Sequence, residues 1–187
     1  MKNVIRYEGE IIMKKFMSLG LVLAFVLLAA CGNNNEPAAQ EPAKEATTDA
    51  VTSASVVNTE EAFLNAISKD GTWIIAVLND MKIDKDLVLE GEFTNKDAAA
   101  RKIALYAQDA DHKKTATYTL TAPKLTVKSE NAKIQGGTFV GDVYVEANGF
   151  TIADAKVEGN VYFANEDFKS TFDVSKEGVV TGVTEVK

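Results

Sequence analysis

The sequence predicts an all-β domain: a single-stranded right-handed parallel β-helix, or β-solenoid, with about 18 residues per coil and a short N-terminal capping helix. Three observations predict this fold. One sequence segment recurs in the C-terminal half of the chain. Apolar residues alternate at spacing two within it, and one short amphipathic helix precedes the first predicted strand.

The repeat is clearest between residues 125–142 and 143–160. The matching residues are Leu125 with Val143, Val127 with Val145, Ile134 with Ile152, Phe139 with Val157, Gly141 with Gly159, and Asp142 with Asn160. Apolar residues fall at positions 1 and 3, then 8 and 10, then near 15 of each copy. Each copy therefore predicts three short strands with one face inward, and each strand should pair with its equivalent one coil away.

A third copy starts at Val161, and its alignment with the second copy places Phe168 under Phe150. It then degenerates, with Ser170 and Ser175 where apolar residues are expected. Terminal repeats are commonly atypical, because the last coil has no neighbour to cover it.

A left-handed β-helix is the alternative, since a repeat of this length also equals three hexapeptides. That fold requires an apolar residue at every sixth position. The series from Leu125 runs to Asn131 and Gly137, and the series from Val127 runs to Lys133. Both series fail, which favours the right-handed form.

The predicted helix lies at the start of the domain. Asn58 or Thr59 can cap it, and Asn58 with Glu61 resembles a capping box. Its apolar face consists of Ala62, Phe63, Ala66 and Ile67. Asp70-Gly71 should end it.

Between this helix and the repeats, apolar pairs predict further strands at looser spacing. The pairs are Ile75/Val77, Met81/Ile83, Leu87/Leu89, Ile103/Leu105 and Tyr118/Leu120. The intervening stretches near 93–101 and 108–116 are longer and polar, which indicates loops that bulge from the coil.

This opening resembles the start of pectate-lyase-like β-helices: a short helix over residues 59–69, then the segments 73–77 and 86–91. The resemblance implies that the helix covers the open core of the first coil. It also implies carbohydrate-active chemistry, in which carboxylates bind calcium or act as acid and base, often with an arginine or lysine base. Arg101, in a predicted polar loop, is the arginine available, but no stacked set of acids in the regular coils accompanies it.

Residues 1–30 are predicted to be a signal peptide. An apolar run over residues 19–28 follows the basic segment that begins at Met13, and it ends in Leu28-Ala29-Ala30-Cys31. This ending resembles the bacterial lipobox, which implies that the Cys31 thiol is acylated and that cleavage makes Cys31 the new N-terminus. Because a complete signal begins at Met13, we expect Met13 to be the true translation start. The run is short for an uncleaved membrane span.

The lipidated Cys31 and a flexible linker are predicted to occupy residues 31–55, ahead of a solenoid domain over residues 56–187. The linker is rich in Asn, Ala, Glu, Pro, Thr and Ser, a composition that cannot bury enough apolar surface to order itself. After Cys31 the chain carries 16 basic and 25 acidic residues, a net charge of −9. That charge argues against a nucleic-acid partner.

One outward row of the coils is a possible ligand surface. Its residues are Thr126, Tyr144 and Tyr162, with the two tyrosines predicted to stack about 4.8 Å apart. Such aromatics can pack against sugar rings or a partner protein, or they can simply stabilise the sheet by about 0.2–1 kcal/mol per pair. Beside them, Lys128 and Glu146 should form a weak exposed ion pair.

The remaining polar clusters predict little chemistry. Asp142 and Asn160 should form a hydrogen-bonded ladder at one corner of the coil. Asp109, Asp111 and His112 are the densest ligand-like group, but no further ligand lies at metal-site spacing, so they indicate a polar loop more than a metal site.

The sequence therefore favours a membrane-anchored cell-envelope lipoprotein, on the extracytoplasmic face, that presents a non-catalytic solenoid for binding or scaffolding. Its expected partners are the membrane, through the lipid, and an envelope protein or polysaccharide, with no cofactor. The alternatives are a carbohydrate-active enzyme of the polysaccharide-lyase type and a glycan-binding module that uses the outward tyrosines.

Overall fold

Parallel strands build most of the domain. The computed structural model describes residues 54–187, and the predicted signal peptide, Cys31 and nearly all of the predicted linker lie outside this range. The described part is mostly β, with parallel sheets and two short helices. Its first strand starts at Ala54, two residues before the predicted start of the domain.

In chain order the elements are β1 (Ala54–Val57), α1 (Glu60–Ile67), β2 (Ile74–Val77), β3 (Met81–Lys82), β4 (Leu87–Leu89), β5 (Thr94–Asn95), β6 (Ala98–Ala99), β7 (Arg101–Ala104), β8 (Tyr106–Gln108), β9 (Lys114–Thr117), β10 (Thr119–Val127), β11 (Ala132–Gln135), β12 (Thr138–Val145), β13 (Thr151–Ala153), β14 (Lys156–Glu158), β15 (Val161–Phe163), α2 (Glu166–Ser170), β16 (Asp173–Ser175), β17 (Val179–Val180) and β18 (Thr184–Val186).

The parallel strands form three stacks. Stack 1 has the order β1-β2-β7-β11-β13-β16. The long strands β10 and β12 each contribute to two stacks, because the register between them shifts between Thr121 and Lys124. Their first halves pair with β3, β14 and β17 in stack 2, and their second halves pair with β4, β15 and β18 in stack 3. From β2 onward the chain passes through stacks 1, 2 and 3 in the same order in each round.

The predicted register is confirmed in the two clear repeats. Leu125 lies beside Val143, Val143 beside Val161, and Ile134 beside Ile152, so each residue pairs with its equivalent in the next copy. Gly141 and Gly159 occupy the same place in successive rounds, where a Cβ would collide with a carbonyl oxygen of the preceding round. Close backbone approach at that corner therefore explains the repeated glycine.

The prediction that Phe168 lies under Phe150 is wrong. Ile152 pairs with Val174, which lies beyond the position that the repeat predicts, so the last round contains four extra residues. Those residues allow α2 to form, and Phe172 takes the place under Phe150, with ring centroids 5.8 Å apart. The degeneration that the sequence suggested is therefore a local insertion followed by a resumed strand.

A single apolar core fills the space inside the stacks. Its fully buried members alternate along the strands with outward residues, as in Leu125 and Val127 of β10 or Val143 and Val145 of β12. This alternation is what period-two patterning predicts.

Helix α1 lies at the N-terminal edge of this core. Of the two residues predicted to cap the helix, Thr59 is the N-cap, and its Oγ1 accepts a hydrogen bond from the Ala62 N–H at 3.2 Å. The predicted apolar face is confirmed for Phe63, Ala66 and Ile67, which are buried.

The two predicted loops contain antiparallel hairpins. β5 pairs with β6, and β8 pairs with β9. The first predicted loop is wrong at its end, because Arg101 begins β7 inside stack 1.

Candidate functional site: the tyrosine face

The outward side of stack 3 carries the predicted ligand surface. We call it the tyrosine face. Its central row runs Val88, Thr126, Tyr144, Tyr162 and Glu185, each residue paired with the next in parallel register. Because the register is set by main-chain hydrogen bonds, the spacing of these side chains is a property of the sheet.

The two tyrosines are neighbours in register, with ring centroids 5.0 Å apart, but their planes are tilted by 49° and do not stack as predicted. They differ in accessibility. Tyr144 is partly exposed, whereas Tyr162 is only 7% exposed. The Lys187 Nζ lies 3.5 Å from the Tyr162 ring centroid, and a hydrogen bond between these side chains raises the pKa of Lys187. Tyr144 is therefore the aromatic surface that a ligand can reach.

Charged residues flank one side of the central row. The Lys124 Nζ lies 2.7 Å from the Asp86 Oδ2 and 5.7 Å from the Tyr144 ring centroid. The hydrogen bond to Asp86 is the main cause that raises the pKa of Lys124. This flank thus joins a carboxylate and an ammonium group to the edge of the tyrosine platform.

The predicted corner ladder lies along the same flank and is confirmed. The Asp142 Oδ1 accepts from both the backbone N–H and the Nδ2 of Asn160, each at 2.9 Å. The Asn160 Oδ1 in turn accepts from the Val183 N–H at 3.0 Å. These bonds hold successive rounds of the chain in register beside Tyr144.

The other flank opens into a groove. The predicted exposed pair is confirmed, with the Lys128 Nζ 3.8 Å from the Glu146 Oε2. A groove of about 750 Å³ adjoins Lys128, and its lining is Glu90, Gly91, Glu92, Phe93, Thr94, Ala99, Lys128 and Glu130. Carboxylates outnumber cations here, so the groove suits a ligand with hydroxyl or ammonium donors better than an acidic sugar.

Arg101 is buried, with 1% of its surface exposed. Its guanidinium donates to the Ala66 carbonyl at 2.8 Å, to the Ser68 carbonyl at 2.9 Å, and to the Thr72 carbonyl. The Phe93 ring covers it, 3.8 Å from the guanidinium carbon. Burial lowers the pKa of Arg101 to about 10, which leaves it charged at neutral pH. The prediction that Arg101 lies in a polar loop is wrong, because Arg101 begins β7 and its guanidinium binds carbonyls around the end of α1.

The weak metal candidates lie in the turn of the β8–β9 hairpin. The Asp109 Oδ1 accepts from the backbone N–H groups of Asp111 at 3.0 Å and Lys113 at 2.9 Å. The Gln108 Nε2 lies 3.2 Å from the His112 Nδ1. Within residues 54–187, no group of three or more His, Cys, Asp or Glu residues is placed to hold a metal ion.

Sequence reasoning missed the groove and the cover over Tyr162. Glu90 and Lys128 meet in the groove only because Leu89 pairs with Val127, across a long stretch of chain that contains both hairpins. Lys187 reaches Tyr162 because Glu185 is the strand partner of Tyr162, at a spacing longer than the repeat. A search that allowed insertions within a round could have found the second pairing.

Comparison with known proteins identified no relative of this chain. No helix in the described range is both long and apolar enough to cross a membrane. No protein-family model, curated protein sequence or solved structure matched the chain.

Proposed function

We propose that the chain is a lipoprotein, anchored through acylated Cys31 at the extracytoplasmic face of a bacterial cell membrane. Its domain would be a right-handed parallel β-solenoid that presents a non-catalytic face for binding or scaffolding. The anchor is inferred from the lipobox-like ending at Cys31. The solenoid is inferred from the strand order, since the chain revisits three parallel stacks in a constant sequence.

The observation that carries the binding role is the tyrosine face. Its residues are spaced by main-chain pairing, and the adjacent charges neutralise one another, as in the pairs Lys124–Asp86 and Lys128–Glu146. Acid–base catalysis by two carboxyl groups would require that the groups lie in different environments, which give them different pKa values. A pre-formed surface suits recognition, because little ordering is required on binding.

Metabolic labelling tests the anchor. Cells that express the native chain should incorporate labelled palmitate into it, and the Cys31→Ala variant should remain unlabelled. Equal labelling of the Cys31→Ala and native chains would exclude Cys31 as the site of acylation.

A second candidate function, glycan binding, is favoured by the position of Tyr144. The ring is partly exposed and lies among hydroxyl-binding groups, including Lys124 and the neighbouring carboxylates. Sugar rings stack on such platforms while their hydroxyls bond the flanking charges. Neutral envelope glycans on an affinity gel should retard the native chain and the Tyr118→Ala control equally. Retardation should disappear with Tyr144→Ala, and an unchanged Tyr144→Ala chain would reject this role.

The polysaccharide-lyase alternative receives less support. Arg101, the base that this chemistry would use, donates to three main-chain carbonyls beneath α1. A substrate could not reach it without displacing Phe93. Incubation of the chain with acidic polysaccharides and calcium should give no rise in the absorbance of unsaturated products; a rise would restore the enzymatic alternative.

A further inference from the structure

A cluster of lysines lies on stack 1, on a different side of the domain from the tyrosine face. Lys102 and Lys133 are direct neighbours in the parallel register of β7 and β11. The Lys102 N–H donates to the Trp73 carbonyl at 2.7 Å, and the Lys102 Nζ lies 5.7 Å from the Trp73 ring centroid. We define the lysine face as Trp73, Lys102, Lys133 and Lys176.

The charges of this face are concentrated. Burial lowers the pKa of Lys102, and the positive charges of Lys133 and Lys176 lower it further. Like charges held this close repel one another, and an anionic partner would relieve that repulsion. Along the same outward row the next residues are Thr151 and then Asp173, so the nearest acid of the row lies two strands beyond Lys133.

Six lysines elsewhere in the described range pair with an acid. The lysines that form ion pairs are Lys82, Lys85, Lys114, Lys124, Lys128 and Lys156. Within residues 54–187, Lys102, Lys133 and Lys176 are among the lysines that form no such pair, although acids outnumber bases there by 21 to 15. Lys102 and Lys133 differ from the other lysines of this group because they are direct neighbours in the parallel register. In so acidic a domain, a local excess of positive charge marks a surface for a negatively charged partner.

We propose that the lysine face docks on the anionic surface of the bilayer to which the chain is tethered. This inference rests on the proposed lipid anchor at Cys31. A bilayer fits better than a soluble anionic polymer for two reasons. Tryptophan is the side chain that best suits the water–lipid interface, and Trp73 stands beside Lys102. A tether also holds the domain at high effective concentration near the lipid, where weak contacts suffice.

Docking would fix the orientation of the domain. Repulsion keeps the acidic remainder of the surface away from anionic lipid, while the lysine face is attracted within about one Debye length, about 8 Å at physiological salt. Each lysine near such a surface strengthens docking about fivefold, so the three together contribute about a hundredfold. The tyrosine face on stack 3 would then stay accessible to a partner.

Trp73 provides the readout, because it is the only tryptophan of the chain. The processed, acylated chain is reconstituted into vesicles of phosphatidylcholine, with or without phosphatidylglycerol, that contain brominated lipid as a short-range quencher. We expect Trp73 fluorescence to be quenched in the phosphatidylglycerol vesicles and restored by high salt. The combined variant Lys102→Gln, Lys133→Gln and Lys176→Gln should lose this quenching, with a docking constant about a hundredfold lower.

The matched control replaces Lys82, Lys85 and Lys156 with Gln, which gives the same net charge on other parts of the domain and should leave quenching intact. Equal quenching in both vesicle types, or quenching that survives in the lysine-face variant, would overturn the proposal. So would binding of soluble polygalacturonate that needs the lysine face and occurs without any quenching by lipid. Flotation with the vesicles reports the anchor separately: a chain that does not float refutes the proposed anchor, and a floating, unquenched chain refutes only docking.

Discussion

Within residues 54–187, the first strands of the stacks are covered by a helix, whereas the last strands are not. At the N-terminal end, α1 packs against β1, β2 and β4, and its Phe63 is fully buried. Arg101 binds carbonyls at the end of the helix and just after it, and the Glu90 N–H donates to the Ile67 carbonyl at 3.1 Å. The cover is therefore tied to the following round by both side-chain and main-chain bonds.

At the C-terminal end of the described range, the strands β16, β17 and β18 each pair on one side only. Val174, which continues the inward column of Ile152, is 44% exposed, and Val183 is 50% exposed. The comparison teaches that the same apolar pattern is buried where a helix covers the core and stays accessible where strands form the edge. Four groups of variants test this difference.

The largest effect should come from the covering aromatic. Phe63→Ala removes a fully buried ring and should lower the free energy of unfolding by about 3–5 kcal/mol. Phe172→Ala, at the other end, should cost about 1–2 kcal/mol, because that ring is partly exposed. Urea titration followed by circular dichroism measures both. Equal losses would show that the two ends are covered alike.

Next comes the clamp on the helix. Arg101→Lys keeps the charge but replaces the planar guanidinium, whose two terminal nitrogens reach separate carbonyls, with a single nitrogen, so we expect a loss of about 2–3 kcal/mol. At the same end, Lys85 pairs with Glu60 at 2.7 Å, but both side chains are largely exposed. Lys85→Ala should therefore cost less than about 1 kcal/mol. Thermal unfolding measures both losses. Equal losses would show that the bonds of Arg101 stabilise the domain no more than an exposed ion pair does.

The helix caps give a smaller contrast. Thr59→Ala should destabilise the chain by about 1 kcal/mol, since α1 covers the core. Asn165, whose Oδ1 accepts from the Phe168 N–H at 2.9 Å, caps α2, a helix without buried residues. Asn165→Ala should cost about 0.5 kcal/mol. A reversed order in chemical denaturation would contradict the assigned roles of the helices.

The smallest effect on stability is expected at the open edge. Val174→Thr with Val183→Thr keeps β-branched side chains and should change the free energy of unfolding by less than about 0.5 kcal/mol. It should nevertheless reduce self-association in sedimentation velocity, because exposed apolar edge strands pair with other chains. Undiminished association would mean that this edge plays no part in it.

The accuracy of the strand pairings predicted from the sequence depends on the regularity of the repeat. Where copies keep the repeat length, pairing partners such as Tyr144 and Tyr162 could be read from the alignment, because equivalent strands stack. Where residues are inserted, the alignment failed, as at Phe168, since an α-helical turn uses four residues without advancing the strand. Acylation of Cys31 stays a prediction from the signal alone.

The candidate site divides in the same way. The corner bonds of Asp142 with Asn160 and the pair Lys128–Glu146 followed from the repeat. Burial of Tyr162 did not, because Lys187 comes from a round with irregular spacing. Arg101 was misplaced because its polarity indicated a loop, whereas its bonds to carbonyls around the end of α1 outweigh the cost of burial.

By itself, the sequence determined that the domain consists of parallel strands around one apolar core, because alternation and stacking are local rules that repeat. It also determined which helix covers the first strands, through the apolar face that contains Phe63. The tertiary structure alone decided which outward residues meet, as in the groove between Glu90 and Lys128 or the neighbours Lys102 and Lys133 beside Trp73. Those contacts join residues separated by inserted segments, and only the completed main-chain register brings them together.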